Sequence, residues 1–220
     1  VMLWFARRAV SWPPMLGSLV AAAGVVALTH RWESLSVLTL PLTAVLVAAS
    51  AAFVYDDPAV AAAAVTPRGS VWALAVRSAC GIVTLATGLV LLLGAPGDQD
   101  TGGWALVLGG LGGGVLGLTL AGSRRQVALP GTVIAPVVVL AGLAPLVVVL
   151  FADVRSPYPL PALDGPLRIF WSTLAVASAT LAAIALHRGR SLRFGSVVPG
   201  ARDTRPATIA GTPPEAGARR

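Results

Sequence analysis

Six separate stretches of this sequence, each about 20 residues long and strongly apolar, are long enough to cross a lipid bilayer as helices. They run over 14–30, 35–55, 71–94, 103–122, 131–152 and 167–187. No other feature restricts the fold as strongly. Hydrocarbon offers no water to backbone N–H and C=O groups, so each stretch must satisfy them internally as a helix. Charged residues make up only 11% of the 220, too few for a soluble domain of that size to cover its surface. The expected fold class is an all-α integral membrane protein with six transmembrane helices. Little chain remains for a separate soluble domain.

The charges between the stretches set the orientation. Arg7 and Arg8 precede the first stretch, and Arg31 and Glu33 cancel in the loop after it. Arg68 precedes the third stretch, and Arg77 lies just inside it. The next loop, APGDQDTGG, has Asp98 and Asp100 and no arginine; SRRQ then brings Arg124 and Arg125. The loop 153–168 is balanced, and the chain leaves the last stretch through Arg188, Arg190 and Arg193. Arginine alternates with the loops, so the positive-inside rule puts both termini in the cytoplasm of a cell-membrane protein. Trp104 and Trp171 are expected at the outer interface, Trp72 at the inner one, and Arg77 is expected to snorkel to the inner interface.

The chain divides into an interfacial segment, 1–13, a six-span domain, 14–187, and a basic tail, 188–220. In the first, Met2, Phe5, Ala6 and Ala9 can share a face opposite Arg7, Arg8 and Ser11, as in a helix lying in the inner interface before Pro13 and Pro14 turn the chain inward. A basic start followed by an apolar run also resembles a signal peptide, but five further stretches follow, and an uncleaved first span is expected. The tail is rich in Pro, Gly and Arg without an apolar face, and largely disordered structure is expected there.

Several chemistries are excluded. All 16 basic residues are arginine, and a chain without lysine cannot supply the phosphate-gripping lysine of a P-loop. The formal charge of +7 fits anionic lipid better than nucleic acid, because no basic patch is interleaved with aromatics in a soluble module. His30 and His187 fall on opposite sides of the membrane and cannot share a metal. Neither His-Glu-x-x-His nor Gly-x-Ser-x-Gly occurs. Cys80, the single cysteine, is expected to pack in an apolar run. The chain is expected not to be an enzyme and to bind no metal or cofactor itself.

Three other features invite structural readings. In the fourth stretch, Gly109, Gly110, Gly113, Gly114 and Gly117 are spaced to let a second helix approach closely, within the subunit or at a subunit interface. Pro130, Pro136 and Pro145 in the fifth remove backbone donors and favour kinks. The Pro-rich loop SPYPLPALDGP is expected to form a short re-entrant or cap-like element.

Between the second and third stretches lies FVYDDPAVAAAAVTPRG, residues 53–69. Adjacent carboxylates at a helix start, Asp56 and Asp57, suit capping. Pro58 suits the first helical position, Ala59–Val65 propagate a helix, and Thr66-Pro67 ends it. A two-turn helix over 56–68 is marginal alone and needs a partner surface.

This segment, the six spans in about 220 residues and the Pro-containing ALPGTVIAPVVVL of the fifth span together resemble the ABC-2 type permease class, which includes the similarly sized haem-exporter membrane subunit. The resemblance implies a permease subunit driven by a separate ATP-binding cassette ATPase, with ATP bound on that partner. It also implies a second permease, identical or homologous, beside this one. Asp56, Asp57, Thr66, Pro67 and Arg68 then map to the region touching the ATPase, with Ala62 on the docking helix between them. The alternative function is a non-transporting membrane scaffold or accessory subunit.

The topology has a direct check. On a Cys80→Ser background, cysteines introduced at Asp98 and Asp164 should react with an impermeant thiol reagent in intact cells, and cysteines at Arg68, Arg124 and Arg193 should not. Labelling at Arg124 would overturn the orientation.

Overall fold

Apolar stretches of this length should form long helices, and they do, even across the prolines of the second and fifth and the glycines of the fourth. The computed structural model describes residue 7 and residues 10–56, 69–124, 129–152 and 155–191. Among these residues there are helices and no strand. The six long helices are α1 (Trp12–Arg31), α2 (Ser36–Ala52), α3 (Gly69–Leu93), α4 (Thr101–Arg124), α5 (Pro130–Ala152) and α6 (Gly165–Ser191). All six are long and apolar enough to cross a membrane, α2 together with the short 3-10 turns Glu33–Leu35 and Phe53–Tyr55 that flank it. Each lies within a few residues of the stretch expected for it. The expected interfacial helix over 2–11 falls largely outside the described residues, as do the segment 57–68 and the tail from residue 192 onward. Before that tail, α6 continues to Ser191, past Arg188 and Arg190.

The elements α1, α3, α4 and α5 pack around α2, and α6 packs chiefly on α4. Of the α2 span, 72% is buried, against 17% for α5 and 11% for α6, so α2 is the core helix. Its second half reads Ala44, Val45, Val47, Ala48, Ala49, Ala51 and Ala52, all buried. Small side chains there let neighbours come close. Those neighbours bring glycine to the contact: a Cβ on Gly88 of α3 would fall 2.1 Å from Val47, and one on Gly142 of α5 would fall 2.4 Å from Val45. The outward faces of the outer helices are apolar. Val133, Val137, Leu140, Val147 and Leu150 form one such stripe along α5, at helical spacing and more than half exposed. In a bilayer, lipid chains cover such a stripe.

The glycines of α4 turn toward α6. A Cβ at Gly110 would sit 3.2 Å from both Leu174 and Trp171, at Gly113 3.3 Å from Ser178, at Gly114 3.2 Å from the Ser178 hydroxyl, and at Gly117 3.2 Å from Leu181. Gly109 has more room, 3.7 Å to Ala175. The Ser178 hydroxyl donates to the Gly110 carbonyl at 3.0 Å, a polar tie between the two helices inside the packed face. The close-packing partner of this face is thus another helix of the same chain.

Two expectations about side chains are corrected. Trp104 and Trp171 do not form an interfacial belt: they are 0% and 4% exposed and point into the bundle, where an aromatic partner from the Pro-rich loop meets them. Arg77 does not snorkel outward. It is 6% exposed, eight residues or about 12 Å into α3, on a side of the helix that the protein covers. Pro136 and Pro145 lie inside α5, which runs through both, and α2 likewise runs through Pro41.

The packing predicts a contrast between two glycines. Gly113→Leu drives a large side chain into α6 and should cost at least about 1–3 kcal/mol, seen as reduced yield and a lower Tm in detergent. Gly17→Leu, at a position with nothing within 4 Å, should leave both unchanged. Equal behaviour of the two variants would place the glycine face of α4 against lipid.

Candidate functional site

The residues expected at the partner-facing segment lead to the end of the bundle where the chain leaves α2 and where α1 and α5 begin. Of those residues, Asp57, Ala62, Thr66, Pro67 and Arg68 lie outside the described residues. Asp56 is described. It is 1% exposed, with its carboxylate turned into the protein. Its Oδ1 accepts the Gly131 N–H at 2.6 Å. The Thr132 N–H adds a second backbone donor.

The reason lies in the start of α5. A helix leaves its first N–H groups without partners and usually recruits Ser, Thr, Asp or Asn at the N-cap. Here the sequence is Leu129-Pro130-Gly131, and Leu129 has no capping oxygen. Asp56, which follows the 3-10 turn after α2, supplies it, so the carboxylate does cap a helix, but one 75 residues further along the chain. Gly131 makes the approach possible: a Cβ there would be 2.5 Å from the Ala52 carbonyl oxygen. The main chain of Asp56 is used as well, its carbonyl accepting the Ser11 hydroxyl at 2.8 Å. Ser11 is the N-cap residue of α1 and makes no side-chain cap bond to its own helix. One residue earlier, the Tyr55 and Ser78 hydroxyls meet at 2.6 Å, tying α2 to α3. Val10, Met15, Val54, Tyr55 and Leu120 fill the space around these bonds.

Burial is the leading influence on Asp56 and raises its pKa above the ordinary carboxylate value; the Gly131 and Thr132 amides pull the other way. The sequence signals for this arrangement were Ser11, Asp56 and the uncapped Leu-Pro-Gly start, but nothing local pairs them.

The opposite end is built around Asp100. It caps α4, accepting the Gly103 N–H at 2.9 Å, and reaches across to the Leu163 N–H at 3.2 Å and Arg168 at 3.5 Å. These amides, Gly103 first, and the neighbouring guanidinium hold its pKa below the ordinary value. They also fasten the Pro-rich loop, in which Arg155 pairs with Asp164. The loop folds back into the end of the bundle. Tyr158, 2% exposed, lies between Trp104 and Trp171 with ring centroids 6.3 and 6.0 Å away. Its hydroxyl donates to the Gly142 carbonyl at 2.5 Å. Gly142 is ten residues, about 15 Å of helix, before the α5 terminus at Ala152. The Trp171 indole N–H donates to the Pro157 carbonyl at 2.7 Å, which holds the loop against α6. Beside it, Glu33, Asp98, Val37, Leu40, Leu160 and Pro161 border an open crevice of about 420 Å³.

Among the described residues, no group of three or more His, Cys, Asp or Glu side chains could hold a metal ion. Cys80 is a free thiol, half-buried beside the Val54–Leu120 cluster.

The two carboxylates predict opposite pH behaviour. A raised folded-state pKa at Asp56 means its contribution is fully present below the unfolded pKa and is lost as pH rises through the folded one. A lowered pKa at Asp100 means its contribution is present above the unfolded pKa and is lost as pH falls. In thermal unfolding from about pH 3 to 8, wild type should lose ground to Asp56→Asn as pH rises and to Asp100→Asn as pH falls. Parallel slopes for the two comparisons would contradict this assignment.

Comparison with protein-family models, with curated proteins and with solved structures found no match.

Proposed function

We propose that this chain is the membrane-spanning permease subunit of an ATP-binding cassette transporter in the cytoplasmic membrane, working with a separate ATPase subunit and a second permease. The observation that carries the reading is the junction at residues 55 and 56. It joins the starts of α1 and α5 to the end of the α2 span, and reaches the side of α3 at Ser78, at the point where the chain enters the segment 57–68. A subunit that receives work from a soluble motor needs a connection of this kind, between the segment that is pushed and several spans at once. The arginine distribution supports a cytoplasmic position for that segment. In the scaffold alternative the Gly-rich helix and the tail would recruit partners; the glycine face of α4 is taken up by α6, and the tail from residue 192 lies outside the described residues.

In this reading the contact to the ATPase is made by Asp57, Ala62, Thr66, Pro67 and Arg68, and Asp56 serves inside the membrane subunit. Alanine methyls give a smooth helix surface that can seat in a groove on a soluble partner. Asp57→Ala removes a cap worth about 0.5–2 kcal/mol and should weaken co-purification of the ATPase modestly. Ala62→Trp should abolish it, while both variants still insert. If a tryptophan scan through 59–65 leaves the ATPase bound in every variant, or if wild type recovers no ATPase, the permease reading falls.

A further inference from the structure

At the Asp100 end of the bundle, the open crevice of about 420 Å³ lies between three parts of the chain: the turn from α1 into α2, the α3–α4 loop and the Pro-rich loop. Its volume falls within the range of sites for small organic molecules, roughly 300–1,000 Å³. The walls have two characters. One part is aliphatic, with Val37 and the 1% exposed Leu40 from α2 and with Leu160 and Pro161 from the Pro-rich loop. The other part is acidic, with Glu33 from the first turn and Asp98 from the α3–α4 loop. No arginine or histidine is among the described residues that line it.

These two acids differ from their neighbours. Asp100 is answered by backbone amides and Arg168, and Asp164 by Arg155. The side chains of Glu33 and Asp98 make no hydrogen bond and no ion pair among the described residues, and the Ser36 hydroxyl on the same crevice makes none either. Acceptors without donors, negative charge without a counter-ion and an aliphatic wall are together complementary to one kind of molecule: a cation with several N–H donors and an aliphatic body.

We infer that this crevice is a binding site for a free primary alkylamine in its ammonium form, with the ammonium at Glu33 and Asp98 and the alkyl body against Val37, Leu40 and Leu160. A primary ammonium has three donors and no acceptor, which matches two carboxylates and a hydroxyl. A divalent metal ion matches less well, because the aliphatic wall offers it no ligand and no group of three metal-binding side chains is present among the described residues. The same ammonium occurs on the phosphatidylethanolamine head group, but there it is tied to a phosphate, for which this lining supplies no cation. The inference goes beyond the permease reading and does not depend on it.

Equilibrium dialysis of radiolabelled n-hexylammonium at pH 7 against the full chain in phosphatidylcholine nanodiscs tests it, with uptake by empty discs subtracted as partition into lipid. Wild type should show saturable binding. Glu33→Gln and Asp98→Asn should each raise Kd about fivefold, and added salt should weaken binding to wild type. Val37→Trp, at a half-exposed position, should fill the crevice and abolish binding. In competition, unlabelled hexylammonium should displace the probe, whereas 1-hexanol and hexanoate, which keep the alkyl body without the positive charge, should not. Absence of saturable binding to wild type overturns the site, as does a Kd unchanged in both carboxylate variants. Competition by hexanol equal to that by hexylammonium would show an apolar crevice without charge selection and would overturn it too. If replacing half of the lipid by phosphatidylethanolamine removes hexylammonium binding, the occupant is a lipid head group and the free-amine assignment falls. Should a variant fail to fold, the competition series on wild type decides by itself. No ATPase is present, so this result is separate from the co-purification test.

Discussion

The structure depends on one constraint: inside hydrocarbon, a polar group has to be answered by another part of the chain. Most of the hydroxyls within the spans meet it locally. Those of Thr29, Thr43, Ser78, Thr84, Thr119 and Thr180 each donate to the carbonyl four residues back on their own helix. Such bonds cost little and ask nothing of the tertiary structure. Helix ends and non-helical backbone are different, because their partners must come from elsewhere. Several of the long-range polar contacts fall there, beside mid-span ties such as Ser178 to Gly110.

The two ends of the bundle solve the problem in different ways. At one, a buried carboxylate takes the place of the missing cap on α5. At the other, Asp100 caps its own helix and also catches a backbone amide of the Pro-rich loop. The loop then places Tyr158 among Trp104 and Trp171, combining aromatic contact with a hydroxyl that has a carbonyl to bind. The accepting carbonyl, Gly142, lies three residues before Pro145, where a proline ring disturbs the hydrogen-bond ladder of α5.

The spans were legible in the sequence because composition over about 20 residues decides them. Their limits were close for the same reason, with α1, α3, α4 and α6 each starting two residues before the expected stretch. What could not be read was direction around a helix. Trp104 and Trp171 were placed by depth, which sequence gives, and their inward orientation follows from Tyr158, which depth does not reveal. Asp56 and Asp57 share every local cue for a cap, and only the three-dimensional proximity of an uncapped helix start distinguishes Asp56. The glycines of α4 were visible as a close-packing face, while the choice of α6 as its occupant depended on the bundle geometry. Segment 57–68, which carries most of the inferred partner contact, is outside the described residues.

The seating of Tyr158 has a consequence for biogenesis. Spans enter the membrane in chain order, but the tyrosine's site has walls on α4, α5 and α6. Until α6 is inserted, Trp171 is absent, the Pro157 carbonyl lacks its indole donor, and the loop has nothing to hold it at depth. A nascent chain of five spans therefore carries an open slot beside α4 and a polar stretch of backbone that has not yet found its partners. Its core closes only when the sixth span arrives, which makes that late intermediate the form most in need of protection by the insertion machinery.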